Sequence, residues 1–271
     1  MATARPLTAE LRVVLAGFAL LALVAGFLLF PLASETDRFF SWPIKPPLTA
    51  AFLGAAYWAA FVLIGWSARR ANWEQAAPAM VPVCVIAVLL LAATLIHLDK
   101  FDLDSLFGWF WLVVYASLPP LLAVVLWRQA AVAPVPIADE AVTPIPRILR
   151  GALLWQAIVM AAIGAALWIA PSTEDSIWPW ALTPLTGRAV GSFLIGFAAA
   201  AALAARDNRL ERFRGAAYAY ATLGGLELLA AAIFNEDFEG SEEPVLYVAF
   251  AASVLIVGLA GSLTARGPQR G

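Results

Sequence analysis

A chain of 271 residues that is 62% hydrophobic and only 13% charged has too little polar surface to coat a soluble globule, in which about 25% of residues are charged. Its apolar residues arrive in blocks of about 20, the length that crosses a ~30 Å hydrocarbon core, so the sequence is that of a polytopic α-helical membrane protein. The net charge of −2 says little by itself, and the single cysteine, Cys84, excludes an intrachain disulfide and a cysteine-based metal site.

The first apolar run, residues 11–32, has the basic start and small-residue end of a signal peptide. It is read as a true transmembrane helix, because an equivalent run at 149–170 lies deep inside the chain and cannot be a leader. Runs at 48–66, 80–96 and 109–127 complete a first group of four. A proline-spaced polar linker follows, then runs at 149–170, 189–205, 216–234 and 245–263. The expected organisation is a first four-helix repeat over 1–127, a cytoplasmic linker over 128–148 and a second four-helix repeat over 149–271.

The repeat is read from a loop that occurs twice. Trp178-Pro179-Trp180-Ala181-Leu182-Thr183-Pro184-Leu185-Thr186-Gly187-Arg188 matches Trp42-Pro43-Ile44-Lys45-Pro46-Pro47-Leu48-Thr49-Ala50-Ala51. At a spacing of 137 residues Pro47 meets Pro184, Thr49 meets Thr186, Gly54 meets Gly191, Glu74 meets Glu211 and Phe101 meets Phe238. Duplication is a common build for membrane carriers, and four helices per unit set the two units parallel. Of 17 basic residues, 13 fall on the amino terminus, the even-numbered connections and the tail, which predicts that both termini are cytoplasmic. The opposite loops are acidic, with Glu35, Asp37, Asp99, Asp102, Asp104, Glu174, Asp175, Glu236 and Asp237 among them. Tryptophans are expected at the two interfaces: Trp66, Trp73 and Trp127 inside, and Trp42, Trp109, Trp111, Trp168, Trp178 and Trp180 outside.

Glu227 is the leading site candidate. It stands in an apolar stretch about 10 Å below the outer helix end, at 1.5 Å per residue, where a carboxylate costs roughly 2.5–3.5 kcal/mol. Its helix face, Ala217, Tyr220, Gly224 and Ala231, is small and turns it toward the bundle. Glu227 and Arg188 correspond to Leu90 and Ala51 in the first unit, so both charges are absent there together. That predicts an Arg188–Glu227 ion pair, either structural or serving binding, transport or proton coupling. Thr49 and Thr186 are expected as helix N-caps, leaving two helix amino termini facing outward toward an anion, with Lys45 and Arg188 adding charge. Plain capping of a short loop explains the same residues.

The small-residue pairs Ala50/Gly54 and Gly187/Gly191 could join the second and sixth helices, or pack within their own units. His97 is the only histidine, near Asp99, Asp102 and Asp104, and is either an interfacial polar group or an assisted ligand. Pro119-Pro120 predicts a kink, passive or hinge-like, and Gln156 a buried interhelical bond. No phosphate-binding loop, HExxH or GxSxG motif is present, and no cofactor or metal is expected. Expected partners are membrane lipids, a small-molecule or anionic ligand and a membrane protein, with no nucleic acid.

The Trp-Pro-Trp-x-Leu-Thr-Pro-Leu-Thr-x-Arg loop resembles that of bacterial multi-pass membrane proteins. The resemblance covers mainly the second unit and implies an inner-membrane location but no activity. The leading functional expectation is a small carrier or permease-like protein. The alternatives are a non-catalytic scaffold, sensor or accessory subunit, and last an enzyme acting on lipid-linked substrates.

Overall fold

A computed structural model describes residues 2–137, 142–171, 178–240 and 242–264. Its eight long helices are α1 (Ala9–Leu29), α3 (Pro47–Ala68), α4 (Trp73–Ile96), α5 (Leu106–Ala130), α6 (Arg147–Ile169), α7 (Pro184–Asp207), α8 (Leu210–Ile233) and α9 (Glu243–Thr264). All eight are long and apolar enough to cross a membrane. A short helix, α2 (Thr36–Phe39), interrupts the loop before α3, and strands β1 (Ala2–Ala4) and β2 (Val135–Ile137) pair antiparallel. Most helices outrun their apolar runs, because polar residues at their ends still satisfy one another's backbone. The largest difference is α4, which starts at Trp73 rather than near residue 80 and keeps Pro78 and Pro82 inside it. Each proline gives up one backbone bond that neighbouring turns hold in place.

Within each group the first two long helices pack together, α1 on α3 and α6 on α7, and α8 lies along α9. The other large contacts cross between groups: α3 packs on α8 and α4 on α7, far more extensively than α3 on α4 or α7 on α8. One core cluster accordingly draws on both halves, from Leu53 and Tyr57 to Phe193 and Tyr220. α3 and α7 are the most enclosed of the eight.

Helix starts recur at a fixed interval. Pro47 and Pro184, Trp73 and Leu210, and Leu106 and Glu243 each stand 137 residues apart, as do the single 3₁₀ turns Leu98–Lys100 and Asn235–Asp237. Contacts recur too. Glu74 accepts the backbone N–H of Arg5 at 3.0 Å, and Glu211 that of Thr143 at 3.2 Å. Arg12 donates to the Ala68 carbonyl at 3.1 Å and Arg150 to that of Ala205 at 2.8 Å. Each arginine thereby satisfies an orphan carbonyl at the negative end of α3 or α7. Arg12 and Arg150, like Gly26 and Gly164, are 138 apart, so α1 and α6 run one residue out of the register kept by the later helices.

The glycines of α3 and α7 do not join those two helices. A Cβ on Gly54 would fall 2.6 Å from the Phe30 nitrogen, and one on Gly191 2.6 Å from the Gly164 carbonyl oxygen, so each glycine admits the first helix of its own half. The remaining faces of α3 and α7 are taken by α8 and α4.

Burial divides the tryptophans. Trp42, Trp111, Trp178 and Trp180 are buried, whereas Trp109 and Trp127 are exposed along their helices. The loop tryptophans fold inward into two aromatic clusters. One holds Phe40, Trp42, Phe101 and Trp111, and the other Phe52, Trp178, Trp180, Phe238 and Tyr247.

At one end of the bundle β1 is tied to β2, Pro6 bridges Asn72, and Leu210 donates to the Thr143 carbonyl. This gathers the amino-terminal segment, the linker and the α3–α4 and α7–α8 connections, with Arg5, Arg69, Arg70, Arg209 and Arg212. The acids Glu174 and Asp175 and the basic tail lie outside the described residues.

Candidate functional site

Glycine sets the position of Glu227. A Cβ on Gly224 of α8 would fall 2.7 Å from the Ala251 carbonyl oxygen, and one on Gly258 of α9 2.8 Å from that of Ala217. Bare backbone on both helices lets them close tightly, and the α8 face bearing Glu227 turns onto α9. Glu227 is 4% exposed. The Tyr247 hydroxyl of α9 donates to its Oε2 at 2.5 Å, while Oε1 is buried without a protein partner.

The expected Arg188–Glu227 pair is not formed. Arg188 Nη1 donates instead to His97 Nε2 at 2.6 Å, with its guanidinium 5.7 Å from the Trp168 ring centroid. The cause is helix placement: α7 packs its flanks on α6 and α4, so Arg188 meets the end of α4, whereas α8 turns Glu227 onto α9. Among the described residues, ion pairs involve neither Arg188 nor Glu227.

Glu227 and Tyr247 lie on the wall of a cavity of about 420 Å³ between α6, α8 and α9, backed by Phe52 of α3 and Leu194 of α7. Its other walls are mostly apolar, including Trp155, Met160, Trp178 and Phe250, and Glu243 stands at its exposed rim. α6 and α9 touch only sparingly across it. One link between them is Gln156 of α6, fully buried, which donates to the Ser253 hydroxyl of α9 at 3.1 Å and leaves its own Oε1 without a protein partner. Gln156 thus bonds across helices, beside the cavity rather than on its wall.

Thr49 and Thr186 are not the N-caps. α3 begins after Pro46, and Thr183 caps α7 by accepting the Thr186 N–H at 3.3 Å. Each helix starts on a proline, so both threonines fall in the third helical position. Thr49 is fully buried and accepts the Trp180 indole N–H at 2.7 Å, pinning the second loop to the first half. The Thr186 hydroxyl donates to the Thr183 carbonyl at 3.0 Å. The amino end of α3 already has its anion, because Asp237 accepts the Leu48 N–H at 2.8 Å. Lys45 is exposed.

His97 ends α4 and is half-buried. A guanidinium only donates, so Nε2 must accept, which requires a neutral imidazole with its proton on Nδ1. Burial first, and then the Arg188 charge, hold the His97 pKa below its ordinary value; Asp99 acts weakly in the other direction. Asp99 is exposed and paired with Lys100 at 2.9 Å. Among the described residues no three metal-ligating side chains converge, so the nearby acids do not gather on His97.

Pro119 and Pro120 lie within an α5 that stays helical from Leu106 to Ala130, Pro119 half-buried and Pro120 exposed. α5 borders a smaller cavity of about 140 Å³ with α1, α3 and α4, lined by the bonded pair Tyr57 and Tyr115. Ile86, Ala87, Phe110 and Val114 line it where Leu223, Gly224, Tyr247 and Ala251, each 137 residues on, line the larger one.

The structure therefore brings Glu227 and Tyr247 together on one cavity wall, ties α6 to α9 through Gln156 nearby, and places Arg188 with His97 elsewhere. Tyr247, Asp237, Arg12 and Arg150 are functional or structural partners that the sequence reading missed. A signal for Tyr247 was present: its counterpart 137 residues earlier is Phe110, so its hydroxyl, like the Glu227 carboxyl, occurs in the second half only. The chain matches no protein-family model, no curated protein and no solved structure.

Proposed function

We propose that this integral membrane protein is a small carrier of a bacterial inner membrane, with its ligand site in the α6–α8–α9 cavity and Glu227 as the binding or coupling group. The single observation that carries the reading is a buried carboxyl on a cavity wall that has one phenol for a partner and no cation. Buried polar groups left unmatched are costly and recur at substrate and ion paths in membranes. The cavity volume falls in the range of small-molecule sites. A scaffold needs no such cavity.

The proposal includes the architecture. Two tandem four-helix units lie parallel, with both termini cytoplasmic. The recurring helix starts, the Arg12 and Arg150 contacts and the two cavities with corresponding walls support duplication. The gathering of arginines at one end supports the orientation.

The test is solvent access. With Cys84→Ala as background, Met160→Cys is expected to react with a membrane-impermeant thiol reagent applied to one face of sealed vesicles. Failure to react from either face would indicate a sealed core and the scaffold reading.

A further inference from the structure

The cavity beside Glu227 carries two carboxyl groups and, among its described walls, no lysine, arginine or histidine. Glu227 lies inside and Glu243 at the rim. The other titratable group on the wall is Tyr247, whose hydroxyl is already given to Glu227. Glu227 Oε1 therefore has no donor from the protein although the residue is 4% exposed. The remaining surface is aromatic and aliphatic, and the faces of Trp155, Trp178 and Phe250 attract cations at close range. An anion would meet two carboxyls here, and a pure hydrocarbon would leave Oε1 unmatched in an apolar surround. The lining suits an apolar molecule, since Trp155 and Leu246 on its walls carry apolar surface outward to where they are 53% and 69% exposed.

We propose that the α6–α8–α9 cavity binds an apolar organic cation, with its amine or onium charge on Glu227 and its hydrocarbon body against the tryptophan and phenylalanine walls. The proposal rests on the carrier reading, which places the ligand in this cavity, and adds the ligand's charge and polarity.

Two ions of the same shape and opposite charge separate the possibilities. The full chain in lipid nanodiscs is titrated with tetraphenylphosphonium and with tetraphenylborate, and saturable binding is read by tryptophan fluorescence and equilibrium dialysis. The phosphonium is expected to bind at least about tenfold more tightly than the borate. Glu227→Gln should weaken the phosphonium about tenfold or more, and Glu243→Gln by about two- to threefold. Equal affinity for both ions overturns the proposal, as does full phosphonium affinity in a folded Glu227→Gln protein. The comparison of the two ions uses the unmodified chain, so it stands even where a variant does not fold. If neither ion binds while Met160→Cys reacts, the cation assignment fails and the carrier reading survives. If neither binds and Met160→Cys is inert, both fail.

Discussion

The Glu227 carboxyl depends on one phenol. Tyr247→Phe removes the hydroxyl and leaves both carboxyl oxygens unmatched, which is expected to cost about 1–3 kcal/mol, read as a lower unfolding midpoint in detergent. In a double-mutant cycle Glu227→Gln and Tyr247→Phe should be non-additive, whereas Glu227→Gln and Arg188→Gln should add to within about 0.5 kcal/mol. Coupling in the second cycle would mean that Arg188 reaches Glu227 after all. His97 gives a pH-dependent prediction. Because burial and Arg188 hold its folded pKa below 6.5, the unfolded chain binds the proton first as pH falls. The protein is therefore expected to lose stability on acidification through about 6.5 toward the folded value and to regain it above. Arg188→Gln should raise the midpoint of the single histidine, measured by NMR.

Helix contacts depend on where a side chain is missing. Gly191→Ala puts a methyl against the Gly164 carbonyl, so it is expected to lower the unfolding midpoint and loosen α6 from α7. At Gly17 and Gly151 an added Cβ meets nothing within 4 Å. Alanine there should be neutral or stabilising by about 0.5–1 kcal/mol, the helical cost of glycine. The same melting series checks all three. The helices themselves were legible in the sequence, because a bilayer-length apolar run has few alternatives. Their ends were less so: Trp73 to Ala79 reads as polar loop ahead of an apolar run, yet continues α4, since tertiary contacts outweigh the penalty of Pro78. The N-caps were misplaced for a related reason. Pro47 and Pro184 already open their helices, which pushes Thr49 and Thr186 inward and frees the Thr49 hydroxyl for Trp180.

At the scale of the molecule, the larger core cluster belongs to neither four-helix group alone, although a smaller one lies wholly within residues 7–125. α3 rests on α8 and α4 on α7. Chains 1–137 and 142–271, made separately, are expected to be degraded singly and to assemble when co-expressed, as judged by co-purification. Independent survival of either would contradict the interlocked core. Such pairing was invisible in the sequence, since each helix presents small and apolar residues on several sides. The Arg188–Glu227 error shows the limit of arguing from charges that vanish together: the polar atom that answers Glu227 is an uncharged hydroxyl one helix further on.

Under the proposed duplication, the helix-on-helix exchange between halves constrains history. A lone four-helix forerunner would have left bare the α3 and α4 faces that now meet α8 and α7, and would have existed as a pair of identical chains. In such a pair any new acid is born twice, once beside each cavity. Glu227 has Leu90 as its counterpart, and Asp237, which answers the start of α3, has Lys100. Substitutions of that one-sided kind become accessible only once the two copies can change independently, when one half can keep its apolar lining and hold the fold while the other is altered.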